Sequence, residues 1–309
     1  MVKLRIAVLQ LNPRIGHLGA NIERAEHILS TQLANRRCDL LVLPEFALTG
    51  YKFNSAKDID PYLELEGKGP SGNWASKISK RLGCHTLIGY PERDVTANKT
   101  FNSASMFGPS GDLMFTHRKA FLYDTDEQFG CSEGSHEFQS HGPLASLANL
   151  KVQVGICMDL NPYKFQAPFD AFEFSSAAKE NGANLVLCPM NWLHTQSPSL
   201  EADQPENERV KAAEELVSKL DGDRLNIETV NYWALRMRPF LKPTDSEKRV
   251  VFVACNRCGR EDDVVYAGSS SIMTFKGNTT GLMSEAIEFH GGLSQVQEGL
   301  MYQEVDIDN

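Results

Sequence analysis

Residues 152–162 read Val-Gln-Val-Gly-Ile-Cys-Met-Asp-Leu-Asn-Pro, and this stretch decides the fold that we expect. Apolar residues alternate with others over the first five positions, which is the period of a half-buried strand. Asn161 and Pro162 suit the N-cap and the first position of a helix. Cys157 would then occupy a tight turn between a strand and a helix, where a helix N-terminus favours the thiolate. The alternative is an inert buried thiol at a strand end, which most free cysteines are.

Strand and helix patterns alternate along the rest of the sequence. Alternating or continuous apolar runs predict strands at 3–11, 38–44, 85–90, 102–107, 112–117, 184–189, 250–256, 269–275 and 299–307. Amphipathic spacing predicts helices at 19–35, 74–82, 168–180 and 231–240. Residues 118–144 are polar and irregular, which predicts a loop over a site. No repeat or linker divides this α/β pattern, so we expect one domain over residues 1–309 with a mixed sheet or a sandwich.

One segment, at about residues 197–228, lacks this clear patterning. It is rich in charged residues and contains one candidate helix, at 206–219. We therefore expect a surface insertion within the single domain, and not a second domain.

Composition and charge narrow the class of protein. The chain has 309 residues, 41% of them hydrophobic, which is enough for a substantial core. Its formal net charge of -9 argues against a nucleic-acid or anionic-membrane partner. No apolar run approaches the roughly 20 residues of a membrane span, and the sequence begins directly with an alternating strand. The seven cysteines are scattered and odd in number, so we expect a reduced, cytoplasmic protein.

The sequence offers no convincing metal site. Cys255 and Cys258 form a lone Cys-x-x-Cys pair, whereas a structural zinc site needs a second ligand pair at suitable spacing. The eight histidines form no closely spaced pair on which a metal site could be built. We therefore expect neither a metal nor another cofactor.

Three polar residues lie where apolar strands end. Glu45 follows the apolar run 40–44, Lys119 follows the strand at 112–117, and Cys157 ends the stretch described first. Side chains at the ends of buried strands are held near a sheet edge, where α/β active sites form. The alternative is a solvated strand-end carboxylate and an ordinary surface lysine, since surface charges are the common case.

Together these residue types make a complete set for nucleophilic catalysis. A cysteine attacks as the thiolate, and a carboxylate such as Glu45 can take its proton. An ammonium such as Lys119 can stabilise the thiolate and later an oxyanion. Glu127, in the acidic run at 123–127, could position Lys119. This chemistry requires that the four side chains meet in the fold.

Three separate blocks resemble the nitrilase, or carbon–nitrogen hydrolase, superfamily in order and spacing, at residues 44–51, 117–119 and 155–159. Later stretches are similar too, at 189–192, 233–238 and 253–257, so the resemblance covers nearly the whole chain except the insertion. It implies a nitrilase-like αββα sandwich with a triad of Glu45, Lys119 and Cys157 at one sheet end. It also implies an auxiliary role for Glu127, which lies eight residues after Lys119, where related amidases place a second glutamate.

The residues that follow Cys157 narrow the resemblance. Many members continue with x-Asp-x-Arg-Phe-Pro, whereas residues 158–165 here read Met-Asp-Leu-Asn-Pro-Tyr-Lys-Phe. This continuation is similar to the fungal protein N-terminal amidase branch, whose members hydrolyse the side-chain amide of N-terminal Asn or Gln. The resemblance implies a cofactor-free cysteine amidohydrolase acting on peptide or protein N-termini, as in an N-degron pathway. Two rivals are a carbon–nitrogen hydrolase or transferase for a small-molecule amide or carbamoyl compound, and a non-catalytic binding protein.

The implied mechanism gives each candidate a role. Glu45 would take the proton of Cys157, and the reaction would pass through a thioester on that cysteine. Lys119 and the backbone N–H of Met158 would stabilise the oxyanion. Glu127 would orient Lys119 and the substrate.

An enzyme for N-terminal residues must also bind the free α-ammonium group, which needs a carboxylate or several carbonyls in a buried site. Asp159, two residues after the nucleophile, is the best candidate, and a structural cap of the turn is its equally weighted alternative. Asp124, Asp126 and Glu173 are weaker candidates. The other expected substrate contacts are Tyr51, Asn191 and Trp192. A homo-oligomer through an outer face of the sandwich is a further expectation.

Overall fold

Two six-stranded mixed sheets form the centre of the protein. The structure is a computed structural model that describes residues 1–201, 203–241, 248–277 and 286–308. Its strands are, in chain order, β1 (Val2–Gln10), β2 (Leu40–Val42), β3 (His85–Asp94), β4 (Lys99–Phe107), β5 (Leu113–Arg118), β6 (Ser140–Leu144), β7 (Leu150–Val154), β8 (Leu185–Met190), β9 (Arg249–Asn256), β10 (Arg260–Glu261), β11 (Val264–Val265), β12 (Ser271–Lys276), β13 (Ile287–Gly292) and β14 (Gly299–Ile307).

The helices lie between these strands in sequence. They are α1 (Leu18–Gln32), α2 (Ala56–Ile59), α3 (Pro70–Leu82), α4 (Asp124–Gln128), α5 (Glu173–Glu180), α6 (Glu206–Lys219) and α7 (Ile227–Arg236). Helix α3 shows why such segments are helical. Pro70 occupies its first turn, Trp74 and Ile78 lie buried on one side, and Gly83 ends it in the left-handed conformation.

The two sheets have the same plan. The first has the order β14-β1-β2-β3-β4-β5, and the second has the order β13-β12-β9-β8-β7-β6. In each sheet three parallel strands occupy the middle, β1-β2-β3 and β7-β8-β9, and antiparallel strands flank them. The carboxyl ends of the central strands therefore lie at one edge of each sheet, where candidate catalytic residues are expected.

Alternating residues divide the core into layers. Ile6 and Val8 of β1 face the second sheet and pack in one cluster with Val152 and Val154 of β7. Ala7, between them, belongs to a cluster that includes residues of α1 and α3 on the outer face of the first sheet. A third cluster packs α5 and α7 on the outer face of the second sheet. The layers are therefore helix, sheet, sheet and helix, which confirms the expected αββα sandwich in a single domain.

Most predicted strands are confirmed to within a few residues, but two local predictions are wrong. Residues 118–144 are not irregular throughout, because they contain α4 and β6. No α-helix begins at Asn161 and Pro162, which are followed only by a short 3-10 turn at Tyr163–Phe165, and α5 starts at Glu173. The buried Arg236 side chain explains the second difference, since it donates to the carbonyls of Leu160 and Phe169 and holds this segment in a non-helical path. β13 was not predicted.

The segment at 197–228 contains α6 over the predicted residues, with Ala213 as the buried residue of that helix. Its interpretation as an insertion stays a prediction. Helix α7 begins four residues before the predicted start, because Asn226 caps it by accepting from the N–H of Thr229 at 3.0 Å. Among the described helices, none is long and apolar enough to span a membrane.

Gly89 of β3 allows the chain after β2 to turn close to the first sheet. The N–H of Gly89 donates to the Pro44 carbonyl at 3.2 Å, and the N–H of Ala47 donates to the Gly89 carbonyl at 3.0 Å. A Cβ atom at position 89 would lie 2.6 Å from Cα of Glu45. Glu45 can therefore occupy its position only because residue 89 has no side chain.

We predict that Gly89→Ala lowers the free energy of unfolding by about 1–3 kcal/mol, because backbone atoms must move to admit the methyl group. The matched control is Gly19→Ala in α1, where an added Cβ meets nothing within 4 Å. Equilibrium unfolding in urea measures both. Equal stability of the two variants would contradict this account of Gly89.

Candidate active site

Cys157 lies in a strained turn just after β7. Its φ of 45° is left-handed, which is uncommon for a residue with a side chain and costs about 1–3 kcal/mol. Residues 157–160 form one turn of 3-10 helix. The expected helix N-terminus beside the thiol is therefore absent. The strained turn remains and exposes a half-buried sulfur.

Asp159 holds this turn in place and links it to the first sheet. Its Oδ1 accepts from the backbone N–H of Ala120 at 2.9 Å and of Phe121 at 2.8 Å. Its Oδ2 accepts from the N–H of Ile156 at 2.8 Å and pairs with His117 Nε2 at 2.9 Å. The carboxylate is fully buried and does not line the cavity at Cys157. These contacts place Asp159 as a structural cap of the turn, with its oxygens occupied and outside the cavity lining, and not where an α-ammonium ligand is expected.

Glu45 is a fully buried carboxylate with three donors. Oε1 accepts from Lys119 Nζ at 2.7 Å and from Asn102 Nδ2 at 2.6 Å, and Oε2 accepts from the backbone N–H of Asn191 at 2.6 Å. Burial raises the pKa of Glu45 above its ordinary value, although the Lys119 ammonium opposes this shift. A carboxylate with a raised pKa is suited to accept and return a proton near neutral pH.

Lys119 lies between two carboxylates. Besides Glu45, its Nζ donates to Asp126 Oδ2 at 2.6 Å, and the side chain is fully buried. Burial alone would lower the pKa of Lys119, but Asp126 and Glu45 outweigh burial and hold that pKa well above its ordinary value. Lys119 is therefore an ammonium at every physiological pH. An ammonium has three donors, so the two carboxylates leave one for a reacting oxygen.

The expected contact between Glu127 and Lys119 is wrong, because the preceding residue makes it. Glu127 is exposed and pairs with Lys164 at 3.2 Å, whereas Asp126 is fully buried. A local signal for Asp126 is present in the sequence. Asp126 is the third residue of α4, and its carboxylate folds back to accept from the N–H of Tyr123 at 3.0 Å, as in a capping box. A side chain folded back in this way points towards the start of its helix, where Lys119 lies.

Asn102 was also missed by the sequence analysis. It lies on β4, and its Nδ2 donates to Glu45 and, at 2.9 Å, to Asp126 Oδ1. The sequence does place this asparagine in the strand predicted at 102–107. A buried side-chain amide needs polar partners, so its position there indicates a polar site nearby. Asn102 thus holds the two carboxylates on either side of Lys119.

Cys157 is a thiol in the resting site. Burial, reinforced by the Glu45 carboxylate, raises the pKa of Cys157 well above its ordinary value, against the opposing effect of Lys119. The thiol must therefore lose its proton to a base as it attacks. Glu45, which contributes to that raised pKa, is the buried carboxylate placed to accept it.

A cavity of about 550 Å³ opens at Cys157. Four of the expected substrate contacts line it, namely Tyr51, Met158, Asn191 and Trp192. Asn191 is notable among them, because its side chain is buried and both its Oδ1 and its Nδ2 lack a hydrogen-bond partner within the described residues. A buried amide without partners is costly, so both polar atoms of Asn191 are candidates for contact with a bound ligand.

Two expected contacts lie elsewhere. Asp124 is exposed and lines a separate, neighbouring cavity of about 370 Å³ that shares Tyr51 and Tyr123 with the first. Glu173 accepts from the backbone N–H of Tyr163 at 3.1 Å at the start of α5 and does not line the Cys157 cavity. Across the parts of the chain that the structure describes, no cluster of three or more His, Cys, Asp or Glu residues is arranged to hold a metal ion.

The fold and the site define a class of protein. A buried carboxylate, an ammonium and a thiol meet at the ends of strands in an αββα sandwich, which is the arrangement of a nitrilase-like cysteine hydrolase. The family model described as Carbon-nitrogen hydrolase matches residues 5–161, and the chain belongs to this family.

Relatives of known identity match over the full length. The chain is 31% identical to "Protein N-terminal amidase" of Saccharomyces cerevisiae, over 100% of this chain and 96% of the relative. It is 26% identical to the protein of the same name from Schizosaccharomyces pombe, over 98% and 100%. A crystal structure of N-terminal amidase with an Asn-Glu-Ala peptide covers 98% of both chains at 31% identity, with a TM-score of 0.85. A structure with a Gln-Gly peptide has the same coverage and identity, and its TM-score is 0.87.

Asp126 and Glu127 form a matched pair for testing the site. Asp126→Ala would leave the buried Lys119 ammonium and the Asn102 amide each short of a partner, so we expect a loss of about 3–5 kcal/mol in the free energy of unfolding. Glu127→Ala removes an exposed ion pair and should leave stability nearly unchanged. Urea unfolding followed by tryptophan fluorescence measures both. A larger loss for Glu127→Ala would reverse the assignment.

Proposed function

We propose that this protein is a cysteine amidohydrolase that converts N-terminal Asn or Gln of peptides and proteins to Asp or Glu and releases ammonia. The observation that carries the proposal is the unpaired Asn191 amide in the same cavity as the Cys157 thiol. The side-chain amide of the substrate has a carbonyl oxygen and an N–H group, which can serve as the missing hydrogen-bond partners of Asn191 Nδ2 and Oδ1. Full-length similarity to N-terminal amidases, including structures with Asn and Gln peptides, supports the same substrate class.

The first half of the reaction forms a thioester. As the Cys157 sulfur attacks the amide carbon, its proton passes to Glu45. The free donor of Lys119 and the backbone N–H of Met158 stabilise the oxyanion. The tetrahedral intermediate then collapses and the carbon–nitrogen bond breaks. Glu45 returns the proton to the departing nitrogen, which leaves as ammonia.

The second half hydrolyses the thioester. Glu45, again a carboxylate, takes a proton from water, and the resulting hydroxide attacks the thioester carbon. Collapse of this intermediate breaks the carbon–sulfur bond, and the proton on Glu45 restores the Cys157 thiol. The product is the carboxyl group of Asp or Glu. Asp126 is a positioning residue in both halves, because it holds Lys119 without lining the Cys157 cavity.

The walls of the cavity position the substrate. Asn191 exchanges hydrogen bonds with the substrate, and the Tyr51 and Trp192 rings flank the cavity at Cys157. Desolvation of the reacting amide between these groups strengthens its interaction with Lys119. A substrate that cannot satisfy Asn191 leaves a buried donor and acceptor unpaired and is disfavoured.

The surroundings of the enzyme are part of the proposal. The cytoplasm is the expected compartment, supported by seven cysteines that are all free thiols. The net charge of -9 supports a protein that binds neither nucleic acid nor an anionic membrane surface. The expected homo-oligomer stays a prediction, which light scattering can measure.

The proposal predicts deamidation that depends on Cys157. Peptides beginning with Asn or Gln should gain the mass of an amide-to-acid conversion, and N-acetylated copies should not. Cys157→Ala and Cys157→Ser should lower kcat/KM on the order of 10⁴-fold or more, since both remove the nucleophile. Cys131→Ala, at a half-buried thiol outside the cavity, is the control. Equal turnover of free and acetylated peptides would point instead to a general small-amide hydrolase.

The raised pKa of Glu45 predicts the pH dependence. Glu45 must be ionised to take the thiol proton, so kcat/KM should fall with decreasing pH, at a pH above the value of about 4.3 for an ordinary glutamate. Lys119 stays protonated, so it adds no limb at neutral or mildly alkaline pH. The α-ammonium of a peptide titrates near about 7.7–8.0, so kcat/KM should also fall above that range. If kcat/KM fell only at or below the ordinary pKa of glutamate, the result would contradict the role of Glu45.

A further inference from the structure

The cavity at Cys157 has one carboxylate among its described lining residues, that of Glu228. Glu228 is exposed in the first turn of α7, at the end of the segment predicted to be an insertion. The Thr195 hydroxyl donates to its Oε2 over a long 3.4 Å. Within the described residues, no lysine, arginine or histidine lies within ion-pair distance of Glu228. The carboxylate is therefore open to a cation from outside.

The neighbours of Glu228 do not neutralise it. His194, which also lines the cavity, has a pKa below its ordinary value because it is buried, so it is uncharged at neutral pH. The remaining lining residues are tyrosine, tryptophan, phenylalanine, threonine, asparagine, leucine, methionine and the Cys157 thiol. Among the residues that the structure describes, no positive charge therefore balances Glu228 at this wall of the cavity.

The other carboxylates near the site are already occupied or lie outside the cavity. Asp159 accepts from four donors, and Asp126 is held by Lys119, Asn102 and the N–H of Tyr123. Asp124 belongs to the neighbouring cavity. In an N-terminal Asn or Gln, only a few bonds separate the α-nitrogen from the reacting carbon. The α-ammonium must therefore bind in the same cavity as the thiol.

We propose that Glu228 binds the α-ammonium group of the substrate and so restricts the reaction to N-terminal residues. This inference rests on the proposed function and deepens it. An internal Asn or Gln has an uncharged amide nitrogen in place of the ammonium, and it would leave Glu228 without a cation. Glu228 is then a specificity-determining residue, and it takes no part in bond making or breaking.

The test compares variants of Glu228, Glu208 and Asp124 on a peptide that begins with Asn and on its N-acetylated copy. Glu228→Gln should lower kcat/KM for the free peptide about tenfold, the worth of one hydrogen bond between charged groups, mainly through a higher KM. Glu228→Gln should leave the rate on the acetylated peptide unchanged. For the free peptide, it should reduce the fall of kcat/KM at alkaline pH. Glu228→Asp should restore part of the loss. Glu208→Gln, an exposed glutamate in the first turn of α6, is matched in charge and helix position and should change neither rate.

The results separate the inference from the proposed function. If wild-type protein deamidates the free peptide and Glu228→Gln keeps the full kcat/KM for it, the inference is overturned and the proposed function stands. If Asp124→Asn loses that preference instead, the neighbouring cavity holds the ammonium and the inference is also overturned. If wild-type protein deamidates neither peptide, the proposed function falls and the inference falls with it.

Discussion

The buried ammonium of Lys119 is the interaction on which the site depends. Removing a charged group from water costs several kcal/mol, and only close partners of opposite charge can offset that cost. Lys119 has two, Glu45 and Asp126, and Asn102 bonds both of them. Because no member of this set can leave without exposing an unpaired charge, the network fixes the base and the ammonium before substrate arrives. Burial of the thiol, reinforced by the Glu45 carboxylate beside it, raises the pKa of Cys157, which explains why the thiol rests protonated.

The catalytic set also joins the two sheets. Glu45 and Lys119 follow strands of the first sheet, whereas Cys157 and Asn191 follow strands of the second. Asp159 connects the Cys157 turn to the chain just after Lys119, and the N–H of Asn191 binds Glu45. The distances that catalysis needs are therefore set by how the sheets pack. This dependence links the apolar cluster between the two sheets, far from the reacting atoms, to the geometry of the site.

Patterns over a few neighbouring residues predict those features of the structure that depend on neighbouring residues, such as the strands. Period-two alternation located most strands, and positions at strand ends, together with the family resemblance, singled out Glu45, Lys119 and Cys157. The sequence predicted Glu127, and not Asp126, as the partner of Lys119. Which of the two reaches Lys119 depends on the direction in which the side chains of the short helix α4 point. The late start of α5 was not predicted because Arg236, far away in sequence, binds the carbonyl groups of Leu160 and Phe169 in the segment before that helix. Contacts across such separations leave no periodic signal.

Chemistry and substrate choice come from different parts of the chain. The matched family region, residues 5–161, contains Glu45, Lys119 and Cys157, to which the proposed mechanism assigns the proton transfers, the oxyanion and the new bond. The facing wall of the cavity is built by residues beyond it, among them Trp192, Leu200, Glu228 and Tyr232. The side chains of Trp192, Leu200, Glu228 and Tyr232 share no hydrogen bond with the buried Lys119 network in the described structure, so they can vary without disturbing it. Asn191 is different, because its backbone N–H binds Glu45. In the proposed function, one reacting centre can therefore serve different amides, and the side chains of the later part of the chain select which amide reaches Cys157.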